Sequence, residues 1–280
     1  MSHLAGVWIK IDRAKHHLEC LERAISDYTT GDPYEIFFDT EAQPGEKLYR
    51  FKFKRPIPVE WSSLIGDTIH NLRSALDMLA TVLVIQGGKT SNSAIKETYF
   101  PIASTQQDFE NLLVKRLHYA TDAVRQFVRN LKPYKGGADT FYQLHQLDIV
   151  DKHTSLIPVG IGHGKVGMKY PLMFLARPGE SENGHFARYP VIYSDFRSSL
   201  PLQDGDIIFS APVVTAHLMI IGNGPQINLP LPPDPDLQFT FEIAFGKDQI
   251  MDGQAVIPTL KQFIDFIESV VRITQNKFFP

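Results

Sequence analysis

Residues 66–79 read GDTIHNLRSALDML, which puts Asp67, His70, Ser74 and Asp77 at intervals of three, four and three, with Arg73 at the edge of the row. On an α-helix that spacing stacks the side chains into one strip. A carboxylate beside an imidazole orients the ring and tunes its proton affinity, which is general acid–base chemistry. A second run, FYQLHQLDIVDKHTSL from Phe141 to Leu156, repeats the theme. Its His145, Asp148 and Lys152 share a helix face at i, i+3 and i+7, and Asp151 and His153 close it.

If the two strips face each other, Asp67, His70 and Asp77 meet His145 and Asp148. Asp-x-x-His pairs on two helices are similar to the inward carboxylate–histidine sets of metal-binding bundles, so Asp67, His70, His145 and Asp148 form a candidate divalent-metal set. The second pair runs His-then-Asp, and bridging carboxylates would have to come from Glu19 or Glu22. Three other readings stand beside this one. The strip is a solvated face with internal ion pairs, or it lines a polar cleft, or it is a buried network holding helices in register. In the cleft reading Arg73 orients a small anionic ligand, Asp77 and Asp151 hold neighbouring histidines, and His70 or His153 exchanges protons. Whether such a pocket hydrolyses its ligand or only binds it is open.

The elements that must position these groups follow from periodicity. Apolar residues at three- and four-residue intervals predict helices over about 9–28, 59–85, 106–118, 120–131, 139–153 and 257–276. In the second of these, Ile65, Ile69, Leu72, Leu76, Leu79 and Leu83 make a continuous stripe, as a central helix requires. YEIFFD and LYRFKFK read as a β-hairpin, with Arg50, Lys52 and Lys54 on one face of its second strand. Residues 155–246, rich in Gly, Pro and short alternating apolar runs, predict antiparallel strands. The expected architecture is α+β: a helical region with an inserted hairpin over 1–154, an antiparallel β region over 155–253, and a closing helix over 254–280 packed back on the body.

Composition narrows the classes. The 280-residue chain is 43% hydrophobic and 21% charged, ordinary globular material, and its formal charge of −3 argues against a generally cationic nucleic-acid binder. The strongest apolar run, LATVLVI, is far short of the roughly 20 residues that span a bilayer, so no membrane partner is expected. The lone Cys20 allows no intrachain disulfide and has no convincing activating group. With an opening stretch unlike a secretory leader, it leads to the expectation of a cytoplasmic protein.

IGDTIHNLRSALDML, with RAKHHLECL upstream and LKPYKG…LHQLDIVDKHTSLIPV downstream, resembles a family of uncharacterised bacterial proteins. Its signatures read GDxxHNLRSALDHL and LxxLxxxDKHR. The resemblance covers most of the chain and implies importance for His17, Asp67, His70, Asn71, Arg73, Asp77, Asp151, Lys152 and His153. Of these, His17, Asn71 and Lys152 are expected to contact a ligand. The chain departs at Met78, where the pattern has histidine, and at Thr154, where it has arginine. Arg, four residues, then His is the ribonuclease signature of HEPN-type helical domains, which pair across a dimer. RSALDH would satisfy it, whereas RSALDM lacks the histidine. The resemblance therefore implies at most an RNA-associated, homodimeric module without that acid or base.

Gly162, Gly164 and Gly167 spell G-x-G-x-x-G, but MKYPLMFLA follows instead of a helix, which predicts a turn and no dinucleotide loop. Lys115, Arg116, Arg125, Arg129, Lys132 and Lys135, opposed in their window only by Asp122, read as a solubilising face or a phosphate-binding surface. His163, His185 and His217 are expected at turns or on the surface. No G-x-S-x-G elbow announces a nucleophilic serine.

Overall fold

In a computed structural model of the chain, the residues described are 3–39, 46–153, 159–169, 173–175, 185–187, 192–197, 202–212, 216–218, 227–229, 236–246 and 250–280. In chain order the elements are α1 (Ala5–Thr30), β1 (Tyr34–Asp39), β2 (Glu46–Phe53), α2 (Glu60–Gln86), α3 (Asn92–Glu97), α4 (Gln106–Arg116), α5 (Asp122–Leu131) and α6 (Asp139–His153). They continue with β3 (Val159–Lys169), β4 (Met173–Leu175), β5 (His185–Ala187), β6 (Ile192–Arg197) and β7 (Ile207–Pro212). The last are β8 (Ala216–Leu218), β9 (Ile227–Leu229), β10 (Asp236–Phe245) and α7 (Val256–Phe278). The chain is α+β, and among the described residues no helix is long and apolar enough to cross a membrane.

Contacts divide the chain into two units, one of residues 1–31, 57–159 and 245–280, the other of 32–56 and 160–244. The division departs from the expected 1–154, 155–253 and 254–280. The hairpin belongs with the β strands because β2 hydrogen-bonds on its free edge to β7, in antiparallel register from Glu46↔Pro212 to Arg50↔Ile207.

In the helical unit α2 is the central rod. Its apolar stripe, Ile65, Ile69, Leu72, Leu76, Leu79 and Leu83, is at most 1% exposed. It packs along α1 and against α6 and α7. Side chains on α1 (Val7, Ile11, Ala14, Leu18, Leu21) and on α7 (Leu260, Phe263, Ile267, Val271) complete the core, with Phe141, Leu144 and Leu147 from α6. Tyr28 meets Trp61 edge-on at 5.1 Å, and Phe100 stacks on Phe141 at 5.4 Å. Thr105 and Thr121 cap α4 and α5, accepting from the amides of Asp108 and Val124 and so satisfying donors the first turn leaves open. The expected helices fall within a few residues of those observed. The exception is α3, a six-residue helix in a segment expected as a polar loop.

In the β unit, β1 and β2 form the hairpin, with Tyr34↔Phe53 and Asp39↔Leu48 as its limits. Three cations in and just after β2 are partnered: Arg50 with Asp39, Lys52 with Glu35 and Lys54 with Asp32. The glycines of G-x-G-x-x-G are strand, not turn. They lie in β3, which runs antiparallel to β6 with Val166↔Ser194 in register. His163, His185 and His217 likewise lie in β3, β5 and β8.

Candidate functional site

The residues singled out from the sequence sort into two neighbouring groups on α2 and α6, both within the helical unit. The first is built on Arg73, whose side chain is only 8% exposed. Its guanidinium donates to Asp77 Oδ1 at 2.6 Å, to the Phe100 carbonyl at 3.1 Å and to His145 Nδ1 at 3.4 Å. The Phe100 amide donates to the same Asp77 oxygen at 2.9 Å. Arg73 thus ties α2 to α6 and to the backbone after α3, and each of its three donor nitrogens has a protein partner. Burial raises the Asp77 carboxyl above its ordinary range against the opposing pull of Arg73. Burial, followed by the adjacent guanidinium, pushes the His145 imidazole down to about 4. That ring is neutral at physiological pH and accepts from Arg73 instead of binding a proton.

The second group is reached by solvent. His70 is 43% exposed and Asp148 is 4% exposed. His70 Nδ1 lies 3.1 Å from Asp148 Oδ1, and Lys152 Nζ donates to Asp148 Oδ2 at 2.7 Å. A carboxylate accepts, so the neutral ring carries its proton on Nδ1 and leaves Nε2 as an acceptor. Ser74 Oγ lies 3.4 Å from Nε2. The i, i+4 spacing of His70 and Ser74 on α2 produces this contact, and the same spacing of Asp148 and Lys152 on α6 produces theirs.

Asp151 and Asp67 flank this group. Burial raises the Asp151 carboxyl, helped by the nearby charges of Asp148 and Asp67. Asp67 stands 4.0 Å from His17 Nδ1, and burial lowers the His17 imidazole. Asn71 is held by Lys10, which donates to its Oδ1 at 3.3 Å, while its own amide donates to the Asp67 carbonyl at 2.8 Å. His153 closes α6, and its side chain lies outside the described residues, as does Thr154.

Close approach of α6 to α2 depends on Gly66. A Cβ there would stand 2.6 Å from Asp151 Cγ and 2.7 Å from its Oδ2. Gly66→Ala is therefore expected to swing the Asp151 carboxylate aside. The helix propensity of alanine, up to about 1 kcal/mol over glycine, offsets part of the strain. In thermal melts the substitution should be more favourable in an Asp151→Ala background than in the native chain. Equal effects in both backgrounds would show that the two residues do not meet.

The four-residue metal set does not assemble. Among the described residues no group of three or more His, Cys, Asp or Glu is arranged to hold a metal ion. The reason is visible: His145 belongs to the Arg73 group, and Lys152 already occupies the outer oxygen of Asp148. The basic run is also less open than its composition suggests. Arg129 makes a two-pronged pair with Glu110, and Arg125 bonds Asp122 and the carbonyls of Leu117, His118 and Ala120. Glu110 lies on α4, outside the window in which only Asp122 opposed the cations. Met78, standing where the family pattern has histidine, is an exposed residue lying against Gly6.

Two contributors carry no functional signal in the sequence. Phe100 acts through its main chain, which no side-chain pattern announces, and Ser74 was placed in the strip without a role. No protein-family model, curated protein or solved structure matches the chain.

Proposed function

We propose that the chain binds a small anionic ligand at the His70 group and hydrolyses it, with His70 as the proton-exchanging group. The observation that carries this reading is the half-exposed His70 ring whose Nδ1 is held 3.1 Å from the buried Asp148 carboxylate. A half-exposed ring held through Nδ1, with Nε2 left as the acceptor, is the arrangement a general base needs, and imidazole is the side chain that exchanges protons near neutrality. Lys152 retains donors beyond the one given to Asp148 and is the cation nearest the ring's partner, so it takes the ligand-orienting role first expected of Arg73. Asp151 and Asp67 border the same patch, with His17 beside Asp67. The cytoplasmic setting expected from the lone cysteine suits such a site.

A second reading, a structural network, is favoured for the other group because all three nitrogens of the buried Arg73 guanidinium bond to protein partners. Arg73, Asp77 and His145 then hold helices, and the chemistry belongs to the group around His70. An RNA-associated HEPN-like role draws little support from an exposed Met78 and from a basic run in which Arg125 and Arg129 are tied to Asp122 and Glu110.

The test uses the full chain. Titration with inorganic phosphate should move the His70 imidazole resonance, and Lys152→Ala should weaken that response. Hydrolysis of p-nitrophenyl acetate should fall on the order of 100-fold in His70→Ala, the scale of a lost general base. If phosphate leaves His70 unmoved and His70→Ala hydrolyses the ester at the native rate, this function is wrong.

A further inference from the structure

We propose that Ser74 is a covalent nucleophile and that the site is an esterase built on a Ser74–His70–Asp148 relay, an inference that rests on the reading of His70 above. Three contacts carry it. Asp148 is buried and accepts from His70 Nδ1 at 3.1 Å. His70 Nε2 faces Ser74 Oγ at 3.4 Å, a loose distance of the kind a ligand-free nucleophile and base adopt before they tighten around substrate. Lys152 bonds the outer oxygen of Asp148 at 2.7 Å and fixes the carboxylate that fixes the ring. A nucleophile, a base and an orienting acid in hydrogen-bonded series are recognised by geometry and role, with no required order or motif. Here Ser74 and His70 come from one helix at i, i+4 and the acid from another, which is why no elbow motif marks the serine.

The substrate class is an acyl ester carrying an anionic group. Ser74 Oγ bonds to the acyl carbon while its proton passes to His70 Nε2. The carbon–oxygen bond to the leaving alcohol then breaks, and the alcohol departs with that proton. Water attacks the acyl-serine next, giving its proton to His70. The carboxylic acid is released as Ser74 regains its hydrogen.

The test is covalent labelling of the full chain with a fluorophosphonate, read by peptide mass spectrometry. The expected result is one adduct, on Ser74, formed at least on the order of 100-fold faster than in His70→Ala and slowed in Asp148→Asn. Circular dichroism checks that the variants keep their helices. The site of the adduct is read on the native chain, so that part of the result does not depend on how a variant folds. An adduct on another residue, or a Ser74 adduct forming no faster than in His70→Ala, overturns the nucleophile. p-Nitrophenyl acetate hydrolysis that survives Ser74→Ala but is lost in His70→Ala also overturns it, and leaves the His70 site standing.

Discussion

Replacing Arg73 with alanine is expected to cost about 3–5 kcal/mol of folding stability, the range for removing one partner from a buried ion pair. The guanidinium bridges a carboxylate, an imidazole and a main-chain carbonyl, and its loss strands all three. The Phe100 carbonyl loses a charged donor in a fully buried setting, and the Asp77 carboxylate keeps only the Phe100 amide. Burial already raises the Asp77 carboxyl against the pull of Arg73, so losing the guanidinium raises it further and weakens what Asp77 itself contributes. A double variant, Arg73→Ala with Asp77→Ala, should therefore lose less than the two single changes together. Urea unfolding followed by helix signal measures each. If Arg73→Ala unfolds at the native midpoint while ligand response disappears, Arg73 is a binding group and the structural assignment falls.

That outcome also decides how far apart the two groups are in function, something the sequence hides. The i, i+4 and i, i+3 spacings made the strips readable, and they led to His70 opposite Asp148 as found. The same strip logic put Arg73 beside His70 in one pocket. A residue at the edge of a polar strip turns either to solvent or into the core, and periodicity alone does not choose. The choice was made by Phe100, whose carbonyl and amide both face the Arg73–Asp77 pair from a stretch with no regular pattern. Helix boundaries were legible because α1, α2 and α7 bury continuous stripes that set the period. The hairpin's allegiance was not, because β2 pairs with β7 more than 150 residues away, and edge hydrogen bonds leave no trace in side-chain alternation. Arg129 makes the same point on a smaller scale, since Glu110 lies 19 residues away on another helix.

Acidification is expected to loosen the helical unit between pH 6.5 and about 4, through His145. In the folded chain this ring stays neutral down to about 4, held there by burial and by Arg73, with Lys152 adding to the effect and Asp148 opposing it. In the unfolded chain it takes up a proton near 6.5. Across that window the unfolded state binds more protons, so stability falls as pH falls, and the slope vanishes once both states are charged. The gap between 6.5 and about 4, at 1.36 kcal/mol per pH unit, amounts to about 3 kcal/mol. Asp77 and Asp151 work in the opposite sense. Their folded carboxyls titrate above the unfolded value, so acid protonates them first in the native state and relieves the cost of holding them charged. The observed loss should therefore be smaller than that of His145 alone, and His145→Gln exposes the difference. Glutamine keeps an acceptor for Arg73 and cannot take up a proton. Its urea midpoint should fall less with acid between pH 7 and 4.5 than the native chain's, with His17, whose imidazole burial also lowers, accounting for what fall remains. A variant whose midpoint falls with acid as steeply as the native chain's would place the sensitivity in some other group.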